Sequence, residues 1–306
     1  MYLVKVLFCV SVVAVAAAAA ASTSPQGQRF LRASQELNED TQRPVVGILA
    51  LPNYIKGFED KGRTYFPSSY VKWVESGGAR VVPIPYTMNK DDLEALLPQL
   101  NGFLFTGGGC DFAYDNHTLT PYAQTAQRIL QEVEAAYQKG EHVPLWGTCL
   151  GFELLSFLLS GPDFKNPVLK SGFDSENITL PLHFTDAAPS SRMYGLAKER
   201  GLYDVFANQP VTMNNHQQGV PPDAFESNAN LKEKVDLLST NYDRENRHFG
   251  SSFEGKQLPI YAVQYHPEKP IFEWDPKEVI NHSYDSVRAN SLLSRFFANE
   301  TRKNGR

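Results

Sequence analysis

The sequence predicts an α/β fold, a three-layer sandwich with a mostly parallel central sheet covered by helices on both faces. Strand-like and helix-like segments alternate along the chain from Val45 onward, which is the order typical of parallel sheets with crossover helices. The 306 residues are 42% hydrophobic, enough to bury one large core, and no low-complexity linker divides the chain beyond its N-terminal region.

The alternation is clearest in the first half of the folded region. Strands are predicted at 45–51, 79–84, 102–105 and 145–147, and helices at 69–76, 91–97 and 122–139. Parallel strands end at the same edge of a sheet, so we expect the loops at that edge to form the functional site.

The second half has a different pattern. Helix periodicity is largely absent from 177 to 253, and β-prone runs at 178–182 and 235–238 predict extra, partly antiparallel strands. The run 283–301 predicts a closing amphipathic helix. Its expected inward residues are Val287, Leu292, Leu293, Phe296 and Phe297.

Cys149 is the first candidate for chemistry. It lies in Gly-Thr-Cys-Leu-Gly, between a predicted strand and an apolar-periodic run at 152–159. Strand, sharp turn and helix in this order are typical of a nucleophile elbow, here with Cys in the place usually given to Ser. Amides and the dipole at the start of a helix stabilise a thiolate. A buried, inert Cys between two glycines is the alternative.

His266 and Glu268 are the second candidate pair. They follow a β-rich run at 261–265 and are two residues apart. If the chain stays extended, both side chains point to the same side, where a carboxylate orients an imidazole and supports its charge. The pattern predicts a general base with its orienting group, and a structural His near a strand end is the alternative.

Gly107 and Gly108 end the short apolar strand at 102–105. A glycine backbone approaches a ligand closely and aims N–H groups at developing negative charge. With the amide of Leu150, these glycines are predicted to form an oxyanion hole. A flexible turn is the alternative, and no Gly-Lys-Ser/Thr follows to indicate a phosphate loop.

Several segments of this sequence have the same order and spacing as the motifs of one enzyme family. They are Gly-Thr-Cys-Leu-Gly-Phe-Glu at 147–153, Ser-Arg-Met-Tyr at 191–194, Thr-Asn-Tyr-Asp at 240–243, Gln-Tyr-His-Pro-Glu-Lys at 264–269, and the runs 69–72 and 78–83. Together they resemble the gamma-glutamyl hydrolases, folylpolyglutamate-cleaving cysteine peptidases related to the class I glutamine amidotransferases. The resemblance extends from Pro44 to the C-terminus.

The resemblance implies roles for individual residues. Cys149 would be the nucleophile, His266 the general base and acid, and Glu268 the third triad member. Glu153 falls where the amidotransferases carry a substrate-contacting Gln, and His216 resembles a family His assigned to substrate handling. The implied activity is a cysteine-type omega-peptidase that hydrolyses folylpoly-γ-glutamates through a thioester, with no metal or organic cofactor.

Other functions stay open at this point. A glutaminase-type amidohydrolase is one, and a secreted, non-catalytic interaction protein on the same fold is another. The net charge of −5 gives no basic stripe, so no nucleic-acid partner is expected. The sequence does not fix endo- or exo-cleavage, chain-length preference, or whether the protein is a monomer or a homodimer.

The N-terminal region predicts the compartment. Residues 1–22 carry a short positive start, a Val/Ala-rich stretch and small residues, which predicts a cleaved signal peptide rather than a stable membrane anchor. The expected destination is the secretory pathway, ending outside the cell or in a lysosome or vacuole. Residues 23–43 read as a disordered leader before a catalytic domain at 44–306.

Three further features bear on the predicted secretory pathway. Within the leader, Arg-Phe-Leu-Arg at 29–32 resembles the Arg-x-Leu-Arg motif of secreted effectors, and a processing site is the alternative. Glycosylation acceptors occur at Asn116, Asn177, Asn281 and Asn299. Signal-peptide cleavage would leave only two thiols, of Cys110 and Cys149, and both are expected to be free.

Overall fold

The computed structural model describes residues 41–54, 57, 60–164 and 167–306. The predicted signal peptide at 1–22 lies outside the described residues, as does all of the predicted leader except 41–43, including the run at 29–32. These N-terminal assignments therefore stay predictions.

The described chain is organised around a large β-sheet. The strands are β1 (Val45–Pro52), β2 (Thr64–Tyr65), β3 (Arg80–Pro85), β4 (Gly102–Phe105), β5 (Leu145–Thr148), β6 (Lys170–Leu180), β7 (His183–Phe184), β8 (Thr212–Gly219), β9 (Val235–Tyr242), β10 (His248–Gly255) and β11 (Ile260–Val263). The order across the large sheet is β2-β1-β4-β5-β11-β10-β9-β7, with β3 also paired to β1, and β6 and β8 form a separate two-stranded sheet.

The centre of the large sheet is parallel, and antiparallel strands lie on both sides of it. The pairs β1–β3, β1–β4, β4–β5 and β5–β11 are parallel, whereas β11–β10, β10–β9 and β9–β7 are antiparallel. The parallel part forms the centre, β10, β9 and β7 extend one side, and the two-residue β2 pairs antiparallel with β1 at the other. The predicted mostly parallel centre with extra antiparallel strands is confirmed.

Helices cover both faces of this sheet. They are α1 (Ser68–Ser76), α2 (Lys90–Leu96), α3 (Pro121–Gln138), α4 (Leu150–Leu159), α5 (Arg192–Glu199), α6 (Tyr203–Asn208), α7 (Pro222–Ser227), α8 (Ala229–Lys234), α9 (Lys269–Phe272) and α10 (Tyr284–Arg302). The long α3 begins where Thr120 accepts a hydrogen bond from the Ala123 amide and Pro121 takes the first helical position, two features that favour a helix start.

Alternating residues of the central strands supply two separate cores. In β4, Phe103 and Phe105 join one cluster with α3 and α4, whereas Leu104 joins a second cluster with α1, α5 and α10. Because successive side chains of a strand point to opposite faces, one strand serves both cores. The predicted three-layer sandwich is therefore confirmed.

Some elements differ from the sequence-based expectation. Where helix periodicity was largely absent, the structure has four helices, α5, α6, α7 and α8. Each has six to eight residues, which is too short to establish a 3.6-residue period. In α10, Leu293, Phe296 and Phe297 are buried as predicted, but Val287 and Leu292 are only half-buried.

Candidate active site

Cys149 lies at the sharp turn between β5 and α4. Its backbone has φ 52° and ψ −105°, a conformation that non-glycine residues rarely adopt. A Cβ on Gly151 would stand 2.3 Å from the carbonyl oxygen of Phe105 in β4, so only glycine lets the helix pack this closely on the sheet. The Cys149 amide donates to the carbonyl of Val263 at 2.8 Å, which ties the turn to β11.

His266 is held just beyond the end of β11. Its amide donates to the carbonyl of Met213 at 2.8 Å, and its Nδ1 lies 2.7 Å from Oε1 of Glu268. The strand ends at Val263 and a turn follows, so the pair meets through the turn and not along the extended chain that the spacing suggested. Nδ1 is directed to the carboxylate, which leaves Nε2 for the sulfur.

Cys149 and His266 both lie next to Gly107. A Cβ there would lie 2.6 Å from Cε1 of His266, 2.6 Å from the Tyr70 hydroxyl and 3.3 Å from Cβ of Cys149. The structure thus brings Cys149 and His266 together, although they are far apart in sequence. Any side chain larger than that of glycine at position 107 would push Cys149 and His266 apart.

The amide of Gly107 is already engaged, because it donates to the Tyr70 hydroxyl at 2.8 Å. The same hydroxyl lies 3.2 Å from Nδ1 of His266. Of the predicted oxyanion donors, this leaves the amides of Gly108 and Leu150 as candidates. Leu150 is the first residue of α4, where an N–H has no partner within the helix.

Neighbouring groups shift the pKa of His266. Burial of the imidazole lowers the pKa of His266, but Glu268 and the Cys149 sulfur outweigh burial, so the pKa is raised. Glu268 is 1% exposed, and its Oε2 has no hydrogen-bond partner among the described residues. A buried carboxylate beside the ring favours the imidazolium form, the partner that a cysteine nucleophile needs.

A cleft of about 620 Å³ opens in front of Cys149. Gly108, Leu150, Glu153 and His216 line it together with Cys149, whereas Gly107, His266 and Glu268 are not among its lining residues. Of the predicted substrate residues, all but Gly107 thus share one cleft with Cys149.

Glu153 and His216 are both buried in that cleft. Burial raises the pKa of Glu153 to about 7, against the lowering effects of a hydrogen bond from Gln264 and the charge of His266. Burial lowers the pKa of His216 to about 4. Nδ1 of His216 donates to the carbonyl of Gln218 at 2.7 Å, and its Nε2 has no partner among the described residues.

Known proteins identify the family. The family model of Peptidase C26 matches residues 44–268 of the chain. The chain belongs to the Peptidase C26 family. Gamma-glutamyl hydrolase B of Dictyostelium discoideum is 38% identical over 267 residues, which cover 87% of this chain and 74% of that protein. The gamma-glutamyl hydrolases of Mus musculus and Homo sapiens are 37% and 36% identical, covering 89% and 91% of this chain and 81% and 84% of their own lengths.

Sequence reasoning missed two residues at the site of this Peptidase C26 chain. Tyr70 contacts both Gly107 and His266, and Gln264 donates to Oε1 of Glu153 at 2.9 Å. Both stand inside segments that carry the family resemblance. A buried carboxyl requires a hydrogen-bond donor, and this requirement was the one signal that could have singled out Gln264.

Three further findings concern metal ions, membranes and thiols in the parts of the chain that the structure describes. No group of three or more His, Cys, Asp or Glu residues there could hold a metal ion. No helix there is both long and apolar enough to cross a membrane. Cys110 and Cys149 are both free.

Proposed function

We propose that the protein is a cysteine-type gamma-glutamyl hydrolase that cleaves folylpoly-γ-glutamates through a thioester acyl-enzyme. Membership of the Peptidase C26 family supports the reaction class, and relatives named gamma-glutamyl hydrolase support the bond that is cut. The observation that carries the proposal is the buried His266–Glu268 pair, 2.7 Å apart, beside Cys149 at the head of α4.

In the first half-reaction, the thiolate of Cys149 attacks the γ-carbonyl carbon and a C–S bond forms. The carbonyl oxygen gains negative charge, which the amides of Leu150 and Gly108 stabilise. Protonated His266 then gives its proton to the amine nitrogen as the C–N bond breaks. The amine product leaves, and the γ-glutamyl group stays on sulfur.

In the second half-reaction, neutral His266 takes a proton from water, and the resulting hydroxide attacks the thioester carbonyl. The C–S bond breaks, which releases a free γ-carboxyl group and restores the thiolate and the imidazolium. Glu268 keeps the ring in its orientation and supports its charge through both steps.

Glu153 and His216 are proposed to contact the glutamyl group. Below its pKa of about 7, Glu153 carries a proton and donates a hydrogen bond to a substrate carboxylate. His216 is neutral above its lowered pKa, and its free Nε2 accepts a hydrogen bond from a substrate N–H. A γ-linked residue keeps its α-carboxylate next to the scissile carbonyl, so this site distinguishes γ-linked from α-linked chains.

The protein is also proposed to enter the secretory pathway. The predicted signal peptide at 1–22 supports this destination. Acceptor residues Asn116 and Asn299 are exposed on the described surface, as glycosylation requires.

A comparison of p-aminobenzoyl-tri-γ-glutamate with its α-linked isomer tests the proposed function. The γ-linked substrate should be cleaved, with kcat/KM about 10⁴-fold higher than for the isomer, because a dedicated polar site rejects a misplaced group. Cys149→Ala should abolish turnover. Cys110→Ala, the matched thiol variant, should lower kcat/KM by no more than a few-fold.

Other results would point to other functions. Comparable cleavage of both isomers would indicate a general peptidase. Faster release of ammonia from glutamine would support the amidohydrolase alternative. Folded, reduced protein that turns over none of these substrates would favour the non-catalytic role.

A further inference from the structure

A second, smaller pocket adjoins the catalytic cleft. Four tyrosines line it, Tyr54, Tyr86, Tyr114 and Tyr122, together with Cys110 and Asp111. We call it the tyrosine pocket. Its volume is about 170 Å³. A buried apolar cavity of about 150 Å³ suffices to bind benzene, so this space suits one aromatic ring.

The tyrosine pocket is continuous with the cleft. Tyr54, Cys110 and Asp111 line both spaces, and Cys149 lines the cleft. A ligand whose carbonyl reaches Cys149 can therefore extend past Cys110 into the pocket.

The charges of the lining residues exclude a polyanion from the tyrosine pocket. No lysine or arginine is among the described lining residues of the tyrosine pocket, and Asp111 contributes a carboxyl group. The γ-glutamate chain carries one carboxylate per residue, so the pocket repels it. An uncharged group therefore suits the tyrosine pocket better than the glutamate chain does.

The remaining chemistry of the pocket suits an aromatic amide or amine. Tyrosine rings pack against an aromatic ring in offset or edge-to-face contact. Tyr122 is 1% exposed, and its hydroxyl has no hydrogen-bond partner in the described chain, so it is available to donate to a ring nitrogen or a carbonyl. Asp111 is exposed at the shared wall and accepts an N–H. Cys110 adds a neutral surface, since burial, Asp111 and Glu153 raise the pKa of its thiol to about 12.

We propose that the tyrosine pocket binds the aromatic group attached to the first glutamate of the substrate, with Tyr54 and Tyr114 packing on the ring and Tyr122 donating a hydrogen bond to it. This inference rests on the proposed gamma-glutamyl hydrolase function. It adds a specificity subsite to that function, because the ring then helps to decide which γ-glutamyl bond lies at Cys149.

Two substrates of equal glutamate length separate the ring from the chain: p-aminobenzoyl-tri-γ-glutamate and N-acetyl-tri-γ-glutamate. The measured quantity is the ratio of their kcat/KM values. Tyr114→Ala should lower this ratio about tenfold, which corresponds to loss of one well-packed aromatic contact. Tyr114 is 54% exposed and lines the tyrosine pocket but not the cleft, so its removal should not disturb folding.

Two further variants sharpen the test. Tyr284→Ala removes a 77% exposed tyrosine that lines neither space, and the ratio should stay at the wild-type value. Tyr122→Phe should lower the ratio several-fold without lowering Tm, because the hydroxyl it removes has no partner in the free protein. The products formed early in the reaction should also change. Tyr114→Ala should cleave a wider range of the γ-glutamyl bonds in the substrate than wild type does.

The outcomes distinguish the two proposals. If wild type cleaves both substrates and no tyrosine-pocket variant changes the ratio, the subsite is wrong while the hydrolase function stands. If folded wild-type protein cleaves neither substrate, both proposals fall. A ratio that drops equally in Tyr284→Ala would also overturn the subsite.

Discussion

At the scale of single residues, the backbone of Cys149 is the most strained feature near the site. A non-glycine residue at φ 52° and ψ −105° costs roughly 1–3 kcal/mol, which the surrounding structure must supply. The hydrogen bond from its amide to Val263 and the close packing at Gly151 hold the turn in place. The strain directs the sulfur toward His266 and the cleft.

Glu153→Gln should change how stability depends on pH. Burial raises the pKa of Glu153 from 4.5 to about 7, so the folded protein holds a proton that the unfolded chain releases over this interval. The contribution of Glu153 to the free energy of unfolding is therefore full below pH 4.5 and is lost as pH rises to 7, by about 3 kcal/mol. Glutamine does not titrate, so urea denaturation of the variant should lack this slope.

The titration of His216 does not affect this comparison. Burial lowers the pKa of His216 from 6.5 to about 4, so its contribution is lost as pH falls over that range, in the opposite direction. His216 is present in both proteins and cancels in the difference between them. Parallel stability curves for wild type and Glu153→Gln would contradict the assignment.

The sequence was a better guide to the candidate catalytic residues than to the residues that contact them. Cys149, His266 and Glu268 could be singled out because their residue types and local patterns imply chemistry. Tyr70 could not, since its role depends on a helix packing beside a distant glycine. Gly107 was expected to donate to an oxyanion, but its amide bonds to Tyr70, a contact that no local pattern predicts.

At the scale of elements, the close approach of α4 to the sheet fixes the position of Cys149. A Cβ on Gly147 would lie 2.6 Å from the carbonyl oxygen of Gly151, and one on Gly151 would meet the backbone of β4. These are contacts with backbone atoms, which have no rotamers with which to relieve a clash.

Gly151→Ala should therefore impair the site and the fold together. The added methyl group must push α4 away from β4, so we expect a loss of about 1–3 kcal/mol in the free energy of unfolding. Activity should fall more than tenfold, because the turn that carries Cys149 moves with the helix. Urea denaturation and kcat/KM measure the two effects.

The matched control is Gly195→Ala in α5. A Cβ there has its nearest neighbour at 3.6 Å, an ordinary contact, and alanine favours a helix by roughly 0.5–1 kcal/mol over glycine. This variant should keep activity and should not lose stability. Full activity in Gly151→Ala would show that the packing at α4 does not position the sulfur.

Helices and strands were predictable from the sequence where a periodic pattern of apolar residues is long enough to recognise. The strands near 45, 80, 102 and 145 and the helices α1, α3 and α10 were located to within a few residues, because apolar periodicity and caps mark them. Helices of six to eight residues, such as α6 and α7, carry too few turns to show a period. Their stability comes from tertiary packing, which a single sequence does not display.

At the scale of the whole molecule, α10 packs on α1 across one face of the sheet. The hydroxyl of Ser294 donates to the carbonyl of Trp73 at 2.5 Å, and a Cβ on Gly77 would lie 2.5 Å from the Ser294 carbonyl oxygen. Phe297 completes this contact, with its ring centroid 6.1 Å from Trp73 and 5.7 Å from Trp146. Segments from the two ends of the folded chain thus share one core.

Phe297→Ala should destabilise the whole fold. Phe297 is 1% exposed, and removal of a buried phenylalanine side chain costs about 3–5 kcal/mol through lost burial and the cavity left behind. Arg295→Ala, at an exposed position of the same helix, should change the free energy of unfolding by less than about 0.5 kcal/mol. Equal effects of the two substitutions in urea denaturation would mean that α10 contributes little to the core.

The position of β11 has a consequence for biosynthesis. This strand is the last to leave the ribosome, yet it lies between β5 and β10 in the sheet and accepts the hydrogen bond from the amide of Cys149. A nascent chain therefore carries Cys149 well before it has His266, the proposed base. Under the proposed mechanism, the unfinished chain lacks its base until β11 takes its place between β5 and β10, because His266 follows directly after that strand.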